Sequence, residues 1–433
     1  MTPKPPGPAY TNYVLLLVFL VAVFNVCDRT IVSVLVDDIK RDLMLDDRQM
    51  GLVMGLAFSV TYMLAGIPIA RLADRFSRPR IVAGALCVWS LMTALSGAAQ
   101  NFVQLVLARM GVGFGEAGGS PASHSLLADY VSPARRARAL SLLSIGSLVG
   151  MGGGVIYGGW ASEALGWRMA LVSVGLPGML LALVFVFTVA EPPRRPADVS
   201  EEDAFTGKSL AGVLLQLVRT PAFVWLTLGA TFTTIVAMGR NFWEPTFLRR
   251  VYDMDPAQAG LWYAVISPLP AALGTYVCAT ITDRLALRDR RWYGWFPALS
   301  TLLLVPLSLA FYLAPMDVRL GGVQIGLYWS VLASIVGAGW APATMSVAQG
   351  LVPPSARAVT AATWSMIASF VGVGLGPLLV GDLNMRLEPR HGEESVRWSL
   401  VAVSLLPLLA SASYLLLARS LDTRAPRAVL VPG

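Results

Sequence analysis

Two short stretches of the sequence place charged side chains in otherwise apolar surroundings. One reads Asn25-Val-Cys-Asp28-Arg29, and the other runs from Arg109 past three glycines to Glu116. An ionisable group inside a membrane helix is costly unless it is paired or faces a wet cavity, so Glu116 is a candidate functional residue. Burial and a nearby guanidinium act in opposite directions on the pKa of a carboxyl group. These stretches therefore predict a proton switch, with Asp28, Glu116 and Arg109 as the proton-coupling residues.

The whole chain has the composition of a membrane protein. Of its 433 residues, 55% are hydrophobic and 14% are charged, and the mean hydropathy is +0.64. Apolar runs of about 20 residues, long enough to cross a hydrocarbon core of about 30 Å, recur along the chain. The first run lacks a small-residue cleavage site, so we predict a retained helix and not a signal peptide. The predicted spans are 13–36, 49–73, 80–99, 102–130, 139–162, 169–190, 222–249, 257–282, 292–314, 320–350, 358–383 and 396–419.

The arginines predict how the chain is oriented. They concentrate in the loops at 71–80, 135–138 and 284–291, whereas the opposite loops carry mixed charge, as at 37–42. By the positive-inside rule the arginine-rich side is cytoplasmic. We expect a multi-pass protein of a bacterial inner membrane with both termini in the cytoplasm. The net charge of +7 then reflects this topology, and nucleic acid is not an expected partner.

A polar stretch at 191–221 divides the chain into two similar halves. We predict an N-terminal tail at 1–12, bundles at 13–190 and 222–419, and a tail at 420–433. The linker at 191–221 contains a predicted amphipathic helix at its end. An Asp-Arg pair follows the second span of each half, which indicates a duplicated six-helix unit. These pairs are the predicted cytoplasmic gate, because an aspartate at a helix end can accept hydrogen bonds from a neighbouring helix N-terminus: Asp74, Arg75, Asp283 and Arg284.

Helix geometry predicts that the charged residues of the first and fourth spans lie near one level. Asp28 is about 12 Å and Arg109 about 10 Å below the outer ends of their helices. Glu116 lies two turns deeper than Arg109, about 10 Å, on nearly the same face. We expect Arg109 to pair with a carboxylate in one state and with a substrate anion in another. A permanent bridge from Arg109 to Asp28 or Glu116 that only holds the bundle is the structural alternative.

At these motifs the chain resembles the major facilitator superfamily. That family's signature loop corresponds to Ala70-Arg-Leu-Ala-Asp-Arg-Phe-Ser-Arg78, in which both of the family's glycines are replaced. The stretches 25–29 and 109–117 are similar to motifs of the spinster branch, the lysolipid and sphingosine-phosphate transporters. The resemblance implies an all-α integral membrane fold with 12 transmembrane helices in two pseudo-symmetric six-helix bundles. It also implies alternating access, protons as the coupling ion without another cofactor, and a monomer in the lipid bilayer.

The expected substrate is an anionic amphiphile such as a lysophospholipid or sphingosine phosphate. Several cations suit an acidic headgroup, and aromatic side chains of the second span suit an apolar tail. Arg240 could be a further headgroup contact, although a pair with Glu244 one turn later would satisfy it equally well. A small organic anion is the alternative substrate. The predicted substrate-binding residues are Arg29, Arg109, Glu116, Arg240, Phe58 and Tyr62.

Other functional classes find less support in the sequence. Three cysteines and two histidines form no pattern of metal ligands, and no nucleophile has a base placed to activate it, so neither a metal site nor an enzyme is expected. A receptor or channel without transport is compatible with twelve helices but does not explain the duplication. Glycines 146, 150, 154 and 158 recur every four residues, which favours close helix packing.

Overall fold

The computed structural model describes residues 7–192, 219–350 and 357–421. The fold is nearly all helical, at 86%. In this part of the chain, ten helical segments are long and apolar enough to cross a bilayer. The all-α membrane fold is thereby confirmed. The predicted amphipathic helix of the linker lies outside the described residues.

The first half of the chain contains a run of helices that begins at Pro8. These are α1 (Pro8–Val34), α2 (Val36–Leu43), α3 (Asp47–Met54), α4 (Leu56–Arg75), α5 (Arg78–Gly97), α6 (Phe102–Tyr130), α7 (Pro133–Leu165) and α8 (Trp167–Thr188).

The second half begins at Pro221 and includes one short pair of strands. Its elements are α9 (Pro221–Val251), α10 (Pro256–Ile266), α11 (Pro268–Ala286), α12 (Trp292–Tyr312), β1 (Arg319–Leu320), β2 (Val323–Gln324), α13 (Ile325–Gly337), α14 (Trp340–Gly350), α15 (Arg357–His391), α16 (Ser395–Val403) and α17 (Pro407–Ser420).

Most predicted spans match a helix within a few residues, but several spans are interrupted. The fourth span coincides with α6, while the second is divided at Gly55. At Gly55 an added Cβ would lie 2.5 Å from the carbonyl oxygen of Gly374 in α15, so only glycine permits this approach. The 51-residue apolar segment Phe370–Ser420 includes the later part of α15 and all of α16 and α17, and it is long enough to cross a bilayer twice.

The predicted start of the tenth span, at residue 320, is wrong. Arg319 pairs with Gln324, and Leu320 with Val323, in a short antiparallel ladder. Gly321 and Gly322 connect the strands with φ values of +59° and +83°, a left-handed backbone that glycine adopts without strain and that favours a two-residue hairpin. The helix therefore begins only at Ile325.

The described residues form two compact units with separate cores. Of the described residues, the first unit comprises 7–192, 237–269 and 369–403, and the second comprises 219–236, 270–350, 357–368 and 404–421. Trp89, Leu86 and Phe185 are fully buried in the core of the first unit. Leu226 and Tyr414 are fully buried in the core of the second. The division at 191–221 stays a prediction, since α9 and α15 each run through both units.

Many large apolar side chains are exposed, as expected for a protein surrounded by lipid. On α8, Leu176, Leu180, Leu183 and Phe187 are at least half exposed, and Phe187 reaches 83%. An apolar surface of this extent is rare on soluble monomers. Such a surface is expected on the lipid-facing side of a helical bundle, where the backbone polar groups form their hydrogen bonds within the helices.

The glycine face of α7 packs against α1 through direct backbone contact. A Cβ at Gly150 would lie 2.3 Å from the carbonyl oxygen of Val23, and one at Gly154 would lie 2.9 Å from the Cα of Cys27. Gly146 meets Phe19 in the same way, at 2.9 Å from its carbonyl oxygen. The packing interpretation of these glycines is therefore confirmed.

Replacing Gly150 by Ala is expected to destabilise the protein, because the added methyl group would overlap α1. Overpacking of this kind costs about 1–3 kcal/mol. The loss should appear as a lower midpoint of thermal unfolding in detergent. Gly153→Ala is the matched control, since nothing lies within 4 Å of its added Cβ. Equal midpoints for the two variants would contradict the packing role.

Candidate functional site

The centre of the first unit contains an ion pair between α1 and α6. Arg29 donates from Nη2 to Oε2 of Glu116. The side chain of Glu116 is fully buried, whereas that of Arg29 is 25% exposed. The Arg29 guanidinium also lies over the ring of Phe58, 4.4 Å from its centroid. This position lets Arg29 neutralise a buried carboxylate while part of the guanidinium stays accessible.

Arg109 and Asp28 lie beside this pair, but their side chains do not bond to each other. Nη1 of Arg109 donates to the backbone carbonyl oxygen of Asp28 at 3.3 Å. Neither carboxylate oxygen of Asp28 has a hydrogen-bond partner among the described residues, and Asp28 is fully buried. The Thr93 hydroxyl lies next to this carboxylate outside hydrogen-bonding geometry. Asp28, Arg109 and Glu116 lie close together, as the sequence predicts. The residue that pairs with Glu116, however, is Arg29 and not Arg109.

Small residues on α6 allow this arrangement. A Cβ at Gly113 would lie 2.3 Å from the carbonyl oxygen of Phe58, and one at Gly115 would lie 2.7 Å from the backbone nitrogen of Trp89. Thr61 donates to the carbonyl oxygen of Met110 at 2.8 Å, which ties α4 to α6. The glycines that precede Glu116 therefore let α4 and α5 pack closely against α6. Helix α4 thereby places its aromatic residues beside the ion pair.

The aromatic residues predicted to bind an apolar tail form a stack along α4. The rings of Phe58 and Tyr62 are 5.5 Å apart with an interplanar angle of 25°. Phe58 is only 2% exposed, and Tyr62 is partly exposed. Arg29 and Tyr62 are thus the accessible members of this set, one cationic and one aromatic.

Arg240 forms the ion pair with Glu244 that the spacing of the two residues suggested as the alternative to a headgroup contact. Its Nε donates to Oε1 of Glu244 at 2.8 Å, one helical turn along α9. Arg240 is 7% exposed and Glu244 is fully buried. The pair is therefore a buried helix pair in this arrangement.

A second group of charges, which we call the α2 cluster, joins α2 and α3 to the end of α9. Arg249 makes a bidentate pair with Asp38 at 3.0 and 3.1 Å and donates to the carbonyl oxygen of Val34 at 2.8 Å. Bidentate pairs of this kind are among the stronger side-chain interactions. Asp38 also accepts from Ser162 at 2.9 Å. The cluster consists of Asp37, Asp38, Lys40, Asp47, Arg249, Arg250 and Asn384.

Arg250 is the centre of the α2 cluster. It donates to Asp37 at 2.7 Å and to both oxygens of Asp47 at 2.7 and 3.0 Å. Lys40 and Asn384 complete the shell of Asp47, Asn384 at 3.0 Å. The sequence showed these charges only as mixed loop charge. Their pairing across more than 200 residues has no local sequence signal, although two adjacent arginines at a helix end were visible.

The gate residues predicted from the signature loops are only partly described. The side chains of Asp74 and Arg75 lie outside the described residues. Asp283 accepts a hydrogen bond from Tyr293 at 3.3 Å, and Arg284 is exposed. Their role as a gate stays a prediction.

Arg78, at the end of the first signature loop, is a buried anchor. It pairs with Asp129 at 2.5 Å and with Glu191 at 3.0 Å, and it donates to the Ser125 hydroxyl at 2.8 Å. It thereby ties the start of α5 to the end of α6 and to the residues after α8. Arg80, two positions on, is exposed.

The comparisons with known proteins agree with this architecture. The sequence model of the Major Facilitator Superfamily matches residues 18–377. An MFS-type efflux pump of Mycolicibacterium smegmatis is 32% identical over 397 residues, which cover 91% of this chain and 90% of that protein. Protein spinster homolog 1 of Xenopus tropicalis is 29% identical over 346 residues, which cover 75% of this chain and 65% of that protein.

A solved structure gives the same result. The crystal structure of a bacterial homolog to the human lysosomal transporter Spinster, in an inward-facing and unoccupied conformation, has a TM-score of 0.82 and 28% identity, and the match covers 96% of this chain and 98% of that chain. The resemblance expected from the motifs of α1 and α6 is confirmed. The chain therefore belongs to the major facilitator superfamily, as a transporter related to the spinster proteins.

Proposed function

We propose that this protein is a proton-coupled secondary active transporter of an anionic amphiphile, such as a lysophospholipid or sphingosine phosphate. The observation that carries the proposal is the pair between the buried Glu116 and the partly exposed Arg29. The chain works by alternating access, as a monomer in a bacterial inner membrane with both termini in the cytoplasm. The spinster relatives support a lipid substrate by their similarity.

The Glu116 carboxylate and the phosphate of the substrate compete for Arg29. When a proton neutralises Glu116, the guanidinium of Arg29 loses its ionic partner and becomes available to a phosphate group. Arginine suits this exchange because its planar fork binds carboxylate and phosphate in the same bidentate geometry. The 25% exposure of Arg29 gives the headgroup a direct approach.

The aromatic stack of Phe58 and Tyr62 supports the apolar part of the substrate. It begins at the guanidinium, where Phe58 lies 4.4 Å away, and continues one turn along α4 to Tyr62. A cation followed by an aromatic surface matches a molecule with an acidic head and an apolar tail. A small organic anion would use Arg29 without the stack.

Asp28 provides a second proton site. An ionised carboxylate that is buried without a hydrogen bond is strongly destabilised, so Asp28 carries a proton in this arrangement. Access of water to α1 in the opposite arrangement restores its solvation and releases the proton. Arg109, 3.3 Å from the Asp28 carbonyl oxygen, keeps a positive charge at this position throughout.

The α2 cluster closes the outer side of the first unit. It lies beyond the end of α1 that is remote from the N-terminus, which the proposed orientation places outside. Its bidentate pairs hold α9 against α2 and α3, so these helices separate only when Arg249 and Arg250 exchange partners. A closed outer side agrees with the inward-facing state of the related bacterial protein.

The decisive experiment measures uptake of labelled lysophospholipid and sphingosine phosphate into proteoliposomes, with and without an imposed pH gradient. Saturable flux that responds to the gradient supports the proposal. Flux without saturation indicates a channel. No lipid flux together with transport of a sugar acid or another small organic anion would replace the substrate class. Loading the lipid inside the vesicles tests export, the direction named in the mycobacterial relative.

Glu116→Gln is expected to abolish gradient-driven flux, because an amide cannot bind and release the proton that frees Arg29. The loss should be at least tenfold, in the range of a single proton-transfer group. Glu163→Gln is the matched control, since Glu163 is exposed on α7. Equal gradient-driven flux in both variants would reject Glu116 as the coupling residue.

Asp28→Asn is expected to separate exchange from net transport. The amide mimics the protonated carboxyl, so labelled substrate should still exchange across the membrane without a gradient. Accumulation driven by a pH gradient should fall severalfold. Normal accumulation in this variant at every pH would show that Asp28 carries no coupled proton.

Arg250→Gln is expected to open the outer side more often, because Asp37 and Asp47 lose their shared partner. A cysteine at Thr246, which is 1% exposed, reports this opening through reaction with an impermeant maleimide added outside. The native cysteines are first replaced by serine. Labelling should increase severalfold relative to Arg41→Gln, which removes an exposed charge from α2 outside the cluster. Similar labelling in both variants would contradict the closing role.

A further inference from the structure

A groove on the surface of the first unit separates the first halves of α1 and α7. It has a volume of about 820 Å³, within the usual range of about 300–1,000 Å³ for ligand sites. Arg135 and Arg138 line one end of it. Leu15, Phe19, Leu142 and Ile145 line its length.

The groove is polar at one end and apolar at the other. Both α1 and α7 begin at this membrane surface, so the early residues of α7 lie near the headgroups and the later ones lie deeper. Ile145 is seven residues beyond Arg138, about 10 Å deeper along the helix. Thr11 and Asn12 of α1 face the groove at the arginine end. This polarity is that of a phospholipid standing in one leaflet.

Helix contacts explain why the groove is open only at this end. Tyr10 donates to the carbonyl oxygen of Thr188 at 2.8 Å, and Tyr13 is 2.8 Å from the Thr188 hydroxyl, so the start of α1 is tied to α8. Deeper in the membrane α1 and α7 close on each other at Gly146 and Gly150. The groove therefore has a fixed floor about two to three turns below Arg138.

The arginines of the groove have no ionic partner in the described part of the chain. Arg135 and Arg138 are exposed and form no ion pair with any described residue. The acidic residues at this end, Asp129 and Glu191, are instead occupied by Arg78. The groove entrance is therefore positively charged, which complements an anionic headgroup.

We propose that this groove is a binding site for one anionic phospholipid of the surrounding bilayer, with its phosphate on Arg135 and Arg138 and an acyl chain along Leu142 and Ile145. The site is separate from the Arg29–Glu116 pair. In the proposed orientation it takes lipid from the cytoplasmic leaflet. A bound acyl chain covers apolar side chains that are otherwise half exposed, such as Leu16 at 54% and Ile145 at 50%.

The test is native mass spectrometry of the purified full chain titrated with phosphatidylglycerol or phosphatidylethanolamine. Each arginine near an anionic lipid changes affinity about fivefold, so the double variant Arg135→Gln/Arg138→Gln should bind phosphatidylglycerol about 20- to 30-fold more weakly. The control Arg80→Gln/Arg288→Gln removes the same charge at exposed positions outside the groove and should bind normally. Wild type should bind phosphatidylethanolamine much more weakly.

Ile145→Trp tests the acyl-chain part of the site without changing charge. The substitution fills the groove from a half-exposed position and should also reduce phosphatidylglycerol binding severalfold. Unchanged binding in both groove variants would overturn the proposal, as would equal binding of the two lipids. Displacement of phosphatidylglycerol by lysophospholipid in wild type but not in Glu116→Gln would also overturn it, because the groove would then serve the transported substrate.

Discussion

The cost of placing charge in a medium that cannot solvate it governs this structure. Glu116 is fully buried, and removing Arg29, with which it forms its ion pair, would leave the carboxylate without that bonded cation, a change that costs about 3–5 kcal/mol in buried pairs. Arg29 can compensate it only if α1 and α6 lie close together, and Gly113 and Gly115 let α4 and α5 pack directly against α6 around the pair. The ion pair and the packing around it therefore require each other.

Charges elsewhere in the first unit follow the same constraint but have different consequences. The α2 cluster and the Arg78 anchor satisfy their charges with several partners each, so the loss of one contact leaves others in place. The central site has no such redundancy, since the carboxylate of Asp28 and two nitrogens of Arg109 remain without hydrogen bonds among the described residues. Redundant charges hold helices together, whereas under-satisfied charges can respond to a proton or a ligand.

Sequence reasoning located most helices and the central site because both depend on local signals. Hydropathy marks the spans, and an isolated Glu116 among glycines is conspicuous in any apolar run. It could not decide whether Arg29 or Arg109 holds Glu116, since Asp28 and Arg29 are adjacent and a rotation of α1 by about 100° exchanges their directions. It also missed the partners of Arg249 and Arg250, because contacts between α2 and α9 leave no periodic pattern. The hairpin at Gly321 and Gly322 lies at the start of a long apolar run, so hydropathy alone does not separate it from the helix that follows.

The glycine face of α7 has a mechanical consequence for the central site. From Gly146 to Gly154 the backbone of α7 lies directly against the backbone of α1, and at Gly158 it lies against the side chains of Ile31 and Val34. Such close packing favours movement of the two helices together, and Arg29 belongs to α1. In the transport cycle that we propose, a helix movement that separates Arg29 from Glu116 therefore displaces α6 relative to α1 and α7. In that proposal the helix that bears the carboxylate moves, and the arginine keeps its position on α1 against α7.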